Sequence, residues 1–497
     1  MTGVSREWYS GKICLLNEEE VNFRAEIYID KYYQGIVTIY DVTNEVYLAA
    51  NNDDYKSAVM MLDNRDYISL FNLYIKSGSS NSKIVDDEPV FDGNNITVAS
   101  SVIIKGHRGY STEDNFKVLY MEITDGCELI GLCPYNLNKN YVDIMMCKNI
   151  EISVKINQVQ VNTSVGKLCF TVYPNYIQSA ATFVLGFRHR IEFIPKEPLK
   201  VTEVREELYL ITSFFSLLCG ESVTVNRLSL MEMEDSNSVE YIGLCNFPKE
   251  KLKSLNNSGI DTTRYKRLSI FKISDFPNLE KTMDYWFNYY KALSNAQQAY
   301  GRILLDEEQG LVTTNKFLAA MQLIEGYTQA YIDEAQEVKD FEKKKKDILS
   351  KLTEQDDIDL IENGLGFSSV SFRKAVKEYL YKGICCLKPI SKTAFSKKSN
   401  KLLDSIVNDR NYYTHSSNRT SAQLSFNEML NVASICKEVY RVLILAEMGI
   451  SQSLLVQRLS YNRLATALFD DLLKIHLSAD EGLTEYDSAM WHFSNPK

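Results

Sequence analysis

A chain of 497 residues, 45% hydrophobic and 24% charged, carries enough apolar material for two or three cores, which excludes a disordered or fibrous sequence. Its formal net charge of -10 excludes a surface coated in basic residues for nonspecific DNA binding and leaves room for a local basic patch. Ten cysteines without framework spacing, no apolar run in Met1–Glu7, and apolar stretches (Leu208–Cys219, Val439–Ile450) too short to span a bilayer point to a reduced, cytoplasmic protein without a membrane segment.

The first part of the chain reads as β-rich. Val37–Val42 and Tyr67–Ile75 are rich in β-branched and aromatic residues, and Ser77-Gly78-Ser79-Ser80 ends the second run. Ile96–Lys105, Phe116–Ile123, Ile150–Ile156, Lys167–Tyr173 and Ala181–Phe187 continue in this style, which predicts a sandwich-like or barrel-like sheet. A helix follows, with Val201, Val204, Leu208, Ile211, Phe215 and Leu218 at helical spacing and Gly220 as its C-cap. Val223–Leu230 and Val239–Leu244 return to strand.

From about Asn278 the period is helical. Leu279, Met283, Trp286 and Tyr290 form one stripe. Phe317, Met321, Ile324 and Thr328 form another, entered through Thr313-Thr314-Asn315. Phe372, Val376 and Tyr379 mark a third helix, and Leu402, Leu403, Ile406 and Val407 lead into Arg410. Ser425 and Glu428 form a capping-box pattern for the next helix, and one more is predicted from Ser453 to about Ile475. The expected fold is therefore α+β. A β-rich region covers residues 1–275, with a possible subdomain from about residue 200. An all-α bundle covers 276–478, and 479–497 form a polar tail.

Six residues carry the chemistry: Arg410-Asn411-Tyr412-Tyr413-Thr414-His415. Cleavage of a phosphodiester without a metal needs a base for an attacking hydroxyl, an acid for the leaving oxygen and a cation for the phosphorane oxygens. Histidine suits proton transfer because its ordinary pKa of about 6.5 lies near neutrality. Arginine stays charged and grips phosphate oxygens with a planar fork. Asn411 can orient a phosphate or a 2′-OH without adding charge. On a regular helix, positions five apart lie about 140° apart, so the helix must bend or end at the motif, or a second protomer must complement it. Ser416-Ser417-Asn418 favours an end. A two-fold dimer would bring in a second histidine.

The bland reading of the same residues stays open. Arg410 can pair with Asp404 or Asp409, and His415 can sit in solvent at the helix end. Against this stands a basic window: Arg373, Lys374, Lys377, Lys382, Lys388, Lys392, Lys397, Lys398 and Lys401 share their segment with one acid, Glu378. Such a window suits phosphate docking, with Lys397, Lys398, Lys401 and Arg419 nearest the motif, or forms an ordinary solvated face. Tyr412 and Tyr413 can stack on unpaired bases or pack in the core.

Other chemistry is weaker. Cys127, Cys133 and Cys147 contain no CxxC pair and read as core thiols, so no metal site is assigned. A cysteine nucleophile lacks a partner pattern among His107, His189, His476 and His492. Gly364-Leu365-Gly366 lacks the spacing of a nucleotide loop.

The motif Arg410-Asn411-…-His415 resembles the R-polar-x-x-x-H signature of HEPN-superfamily ribonucleases. The arrangement of a β-rich region followed by a helical domain carrying that motif resembles ApeA-type HEPN proteins of bacterial antiphage abortive infection. The resemblance implies a cofactor-free, metal-independent endoribonuclease with Arg410, Asn411 and His415 as catalytic residues, working as a homodimer or higher oligomer. It also implies cleavage to a 2′,3′-cyclic phosphate and translation shutdown, with tRNA, in the anticodon region, as the leading substrate. The N-terminal region is then expected to sense a phage-derived trigger or to restrain the nuclease. The alternative is a noncatalytic dimerisation or nucleotide-binding scaffold with a partner-binding β domain.

Overall fold

The computed structural model describes residues 7–15, 23–29, 34–43, 57–85, 88–132, 135–137, 152–178, 183–232, 238–243, 270–308, 310, 314–331, 334–364, 372–415 and 423–473. It divides into two compact units, Met1–Thr212 with Val223–Ser258, and Ser213–Ser222 with Gly259–Lys497. The 479–497 tail and Arg419 lie outside the described residues, as do Cys133 and Cys147.

The strands are β1 (Glu7–Leu15), β2 (Phe23–Ile29), β3 (Gly35–Val42), β4 (Ser57–Leu62), β5 (Tyr67–Val85), β6 (Glu88–Gly106), β7 (Asn115–Ile123), β8 (Tyr135–Leu137), β9 (Ile152–Val154), β10 (Asn157–Asn162), β11 (Gly166–Gln178), β12 (Phe183–Pro195), β13 (Leu199–Lys200), β14 (Val225–Glu232) and β15 (Ser238–Gly243). Six of them close into an antiparallel barrel in the order β6-β3-β2-β1-β4-β5, with β5 pairing back to β6. The period-2 alternation of the sequence explains the closure. Phe23, Ala25, Ile27 and Ile29 of β2 are buried and meet Ile13, Val37, Met60, Ile68 and Ile103 in one core, while Arg24 faces out. These buried side chains form the hydrophobic core of the barrel.

At its C-terminal end β6 also pairs with β15, and the sheet continues through β14, β7, β12 and β11 to β10. There Val102, Ile103 and Ile104 are buried in succession, as expected where both faces of a strand are covered. The strand run expected to end at Ser77–Ser80 does not end there. β5 runs through it to Val85 against β6, and register shifts at Ile75/Ser77 and Ser80/Ser82 absorb the small residues.

The helices are α1 (Gly126–Ile130), α2 (Val201–Cys219), α3 (Leu279–Ala292), α4 (Ser294–Glu308), α5 (Thr314–Tyr331), α6 (Glu334–Leu349), α7 (Gln355–Gly364), α8 (Phe372–Leu387), α9 (Lys392–His415), α10 (Phe426–Glu447), α11 (Gln452–Ser460) and α12 (Arg463–Leu473). α2 ends at Gly220, whose φ of 73° is the left-handed C-cap the sequence predicts. α10 opens with the expected capping box between Ser425 and Glu428 and is buried on nearly every face, which makes it the axis of the helical unit. Tyr300 and Tyr327 pack against its Tyr440, and Tyr379 packs against Tyr327. The single helix expected over 453–475 is two, α11 and α12. The chain breaks at Tyr461-Asn462, where Asn462 Oδ1 accepts the Ala465 N–H at 3.2 Å and starts a new helix. Among the described residues no helix is long and apolar enough to cross a membrane.

Candidate active site

The motif lies on α9, of which 24 residues, Lys392–His415, are described. Ser391 Oγ accepts the Ala394 N–H at 3.2 Å and opens α9. Phe395, Ser399, Leu403, Ile406 and Asp409 then recur at spacings of three and four, all buried. This face anchors α9 and brings Arg410 to the edge of the bundle. The helix stays regular through the whole motif, from Arg410 to His415, the last described residue before position 423. His415's backbone is thereby placed; its side chain lies outside the described residues.

Asp409 is fully buried and accepts the backbone N–H groups of Gln423 at 2.7 Å and Leu424 at 2.9 Å. It is committed to the chain entering α10 and does not pair with Arg410. Asp404, the other expected partner, holds Arg373 at 2.7 Å.

Arg410 is instead held from three sides. Its Nη2 donates to Glu325 Oε1 of α5 at 2.7 Å, and its Nη1 donates to Asn411 Oδ1 at 3.3 Å. Its guanidinium carbon lies 5.1 Å from the ring centroid of Phe372, the first residue of α8. Three helices therefore meet at one guanidinium, whose side chain remains 23% exposed. Glu325 was not among the sequence candidates. The available signal was that it is the only acid in α5; nothing in the sequence said which cation, 85 residues away, it would meet.

Tyr412 is exposed and Tyr413 half-buried, with ring centroids 5.0 Å apart at 85°. That edge-to-face pair leaves Tyr412 available to solvent and is compatible with base stacking. Lys397, Lys398 and Lys401 are exposed on α9. They stand nine to thirteen residues before Arg410, which is about 14–20 Å along the helix, and position 401 is about 180° round from position 410 on an ideal helix. They lie on the same helix as the motif without converging on it. The basic window is also less free than its sequence implies. Arg373 is paired with Asp404, Lys392 lies 3.2 Å from Glu378, and burial pushes the Lys382 ammonium below its ordinary pKa.

The structure brings together one pair the sequence did not. Cys127 Sγ lies 3.4 Å from His189 Nδ1 in the β-rich unit. His189 Nε2 accepts the Ile123 N–H at 2.9 Å, so in the neutral ring the proton resides on Nδ1 and points at the sulfur. The thiol in turn lies 3.6 Å from the Phe187 carbonyl and can donate to it. Burial lowers the His189 pKa to about 4 and, chiefly by the same cause, raises that of Cys127 to about 11. A nucleophile–base pair needs the opposite arrangement, a ring nitrogen free to accept the thiol proton and leave a thiolate beside the imidazolium. This pair is structural. Among the described residues no three His, Cys, Asp or Glu side chains gather to hold a metal ion.

Comparison with known families gives two matches. The family model described as ApeA N-terminal domain 1 matches residues 7–286, more than half of the chain, and the Apea-like HEPN model matches residues 318–454. Glu325, Phe372, Arg410, Asn411 and His415 all fall within the second span. No curated protein and no solved structure matches the chain. HEPN domains are generally ribonucleases, and with both of its parts matched the chain belongs to the ApeA family of HEPN proteins.

Proposed function

We propose that this protein is an antiphage endoribonuclease that cuts RNA, with tRNA as its leading substrate, by attack of the ribose 2′-OH on the adjacent phosphate. The observation that carries this reading is the setting of Arg410 on α9. Arg410 is presented at the bundle edge by Glu325, Asn411 and Phe372, and the same helix carries the backbone of His415 five residues further on. A guanidinium fixed in plane and position can meet charge developing on a phosphorane without reorganising, which is where preorganised cations act most strongly. His415 serves as the proton-transfer group and Asn411 as an orienting partner. Two copies of the motif across a two-fold axis would supply the base and the acid from separate histidines, so the active form is a homodimer or higher oligomer. The chemistry derived from these residues requires no metal and leaves a 2′,3′-cyclic phosphate. Cleavage in the anticodon region would stop translation and abort infection, and the β-rich unit supplies the control by sensing a phage-derived component.

A scaffold reading is favoured by one observation: Arg410 is already ion-paired, as a purely structural arginine would be. Alanine at Arg410 and at His415 discriminates. A nuclease loses toxicity and RNA cleavage with either change while staying folded. A scaffold loses function only together with folding or assembly.

A further inference from the structure

We infer that Glu325 is a positioning residue for the reaction, acting through Arg410; the inference rests on the ribonuclease reading above. An arginine side chain at a surface samples many rotamers, and its fork is useful to a phosphate only when plane and edge are fixed. Here each degree of freedom has an identifiable restraint. Phe372 sets the plane from one face, Asn411 holds Nη1, and Glu325 holds Nη2 with the shortest of these contacts, 2.7 Å.

Glu325 can do this because its own helix cannot turn. Ile324 before it is fully buried, and Tyr327 after it is buried against Tyr379 and Tyr440 and donates to Glu447 at 3.2 Å. Between them, Gly326 lies against the backbone of α4: a Cβ there would meet Ala296 N at 2.6 Å. α4 and α5 thus touch backbone to backbone beside the carboxylate, the kind of rigid element from which a site is held accurately. The remote half of the α5 sequence is packed, and its one acid is spent on the motif arginine.

The carboxylate has an opposing effect. Its negative charge near an incoming phosphate repels it, so Glu325 should cost affinity while gaining turnover. Positioning and repulsion therefore separate in kinetics. The test compares full-length wild type with Glu325→Gln, Glu325→Asp, Arg410→Ala and the double variant Arg410→Ala/Glu325→Gln. Initial rates of cleavage would be measured over a range of RNA concentrations, under the condition in which wild type cuts, with thermal unfolding in parallel.

The expected result is a kcat at least tenfold lower for Glu325→Gln, with KM unchanged or lower and the unfolding midpoint retained. Glu325→Asp, which keeps the charge on a shorter stem, recovers part of the loss. The double variant equals Arg410→Ala, because nothing is left to position. Wild-type or higher kcat in Glu325→Gln, or a further loss on top of Arg410→Ala, overturns the inference while the ribonuclease reading stands. An inactive wild type, or a fully active Arg410→Ala, overturns both.

Discussion

The carboxylate of Asp409 and the backbone N–H of Leu424 are joined by a 2.9 Å hydrogen bond across the connection from α9 to α10. A second bond, from the Gln423 N–H at 2.7 Å, uses the other carboxylate oxygen. One residue before the motif arginine, the chain is thus tied to the segment that follows the motif histidine. Asp409→Ala leaves two backbone donors in a fully buried place without their acceptor, and is expected to destabilise the protein by about 2–4 kcal/mol, read from chemical unfolding. Asp409→Asn keeps one acceptor oxygen and is expected to lose less. Equal stability of all three proteins would show that the tie is dispensable.

Arg441 is expected to be the costliest surface-independent change in the helical unit. It is 1% exposed, donates to the Leu217 carbonyl at 2.6 Å and to the Leu218 carbonyl, lies 3.5 Å from Glu438, and stacks 5.1 Å from the Phe271 ring centroid. Arg441→Leu takes the side-chain donor from the Leu217 carbonyl and one of two cations from the buried Glu438, which keeps Lys437 at 3.5 Å, while the Leu218 carbonyl keeps the Phe271 N–H at 3.0 Å; the change should cost about 2–4 kcal/mol. The same contacts govern truncation. A fragment beginning at Asn278 lacks Leu217, Leu218 and Phe271, so it should express as a less stable protein than one retaining Ser213–Ser222. Matching unfolding midpoints for the two fragments would contradict this.

The fold class was legible in the residues because it rests on period. Alternation in Val37–Val42 and the three–four spacing in Phe317–Thr328 are each local, and each became the expected element. What escaped was decided by partners. β5 passes through Ser77–Ser80 because β6 lies beside it along that length, and a Gly/Ser run reads as a turn only when its pairing is unseen. Asn462 splits the last helix by capping, inside a stretch whose apolar spacing is uninterrupted. In the site, the residue types were visible in Arg410–His415, whereas Glu325 and Phe372 reach Arg410 only through the packing of α5 and α8 against α9.

The Cys127–His189 pair predicts a pH effect on stability. In the unfolded chain the imidazole titrates near 6.5, and in the fold near 4, because burial penalises the charged ring. Between these values the unfolded state binds more protons. The stabilising contribution is therefore complete above about pH 6.5 and is lost as pH falls towards 4, amounting to about 3 kcal/mol in all. His189→Gln should flatten that part of the stability–pH curve. An unchanged slope would contradict the assignment. In the native protein Cys127 should also alkylate slowly at pH 8, where an activated thiol would react at once.

The exposed lysines of α9 should act on binding and not on turnover. Replacing Lys397, Lys398 and Lys401 by alanine is expected to raise KM for RNA several-fold at moderate salt and to reduce the salt dependence of binding, with kcat within about twofold of wild type. A fall in kcat with unchanged KM would place them in the chemistry, which their distance along α9 from Arg410 argues against.

The most direct measurement incubates purified wild type, Arg410→Ala and His415→Ala with total bacterial RNA in EDTA, with phage-infected lysate as the trigger where wild type alone is silent, and maps the fragment ends. The account predicts discrete cuts by wild type alone, concentrated in tRNA and ending in 2′,3′-cyclic phosphates. Equal cutting by all three proteins, or none by wild type with the trigger present, would contradict it.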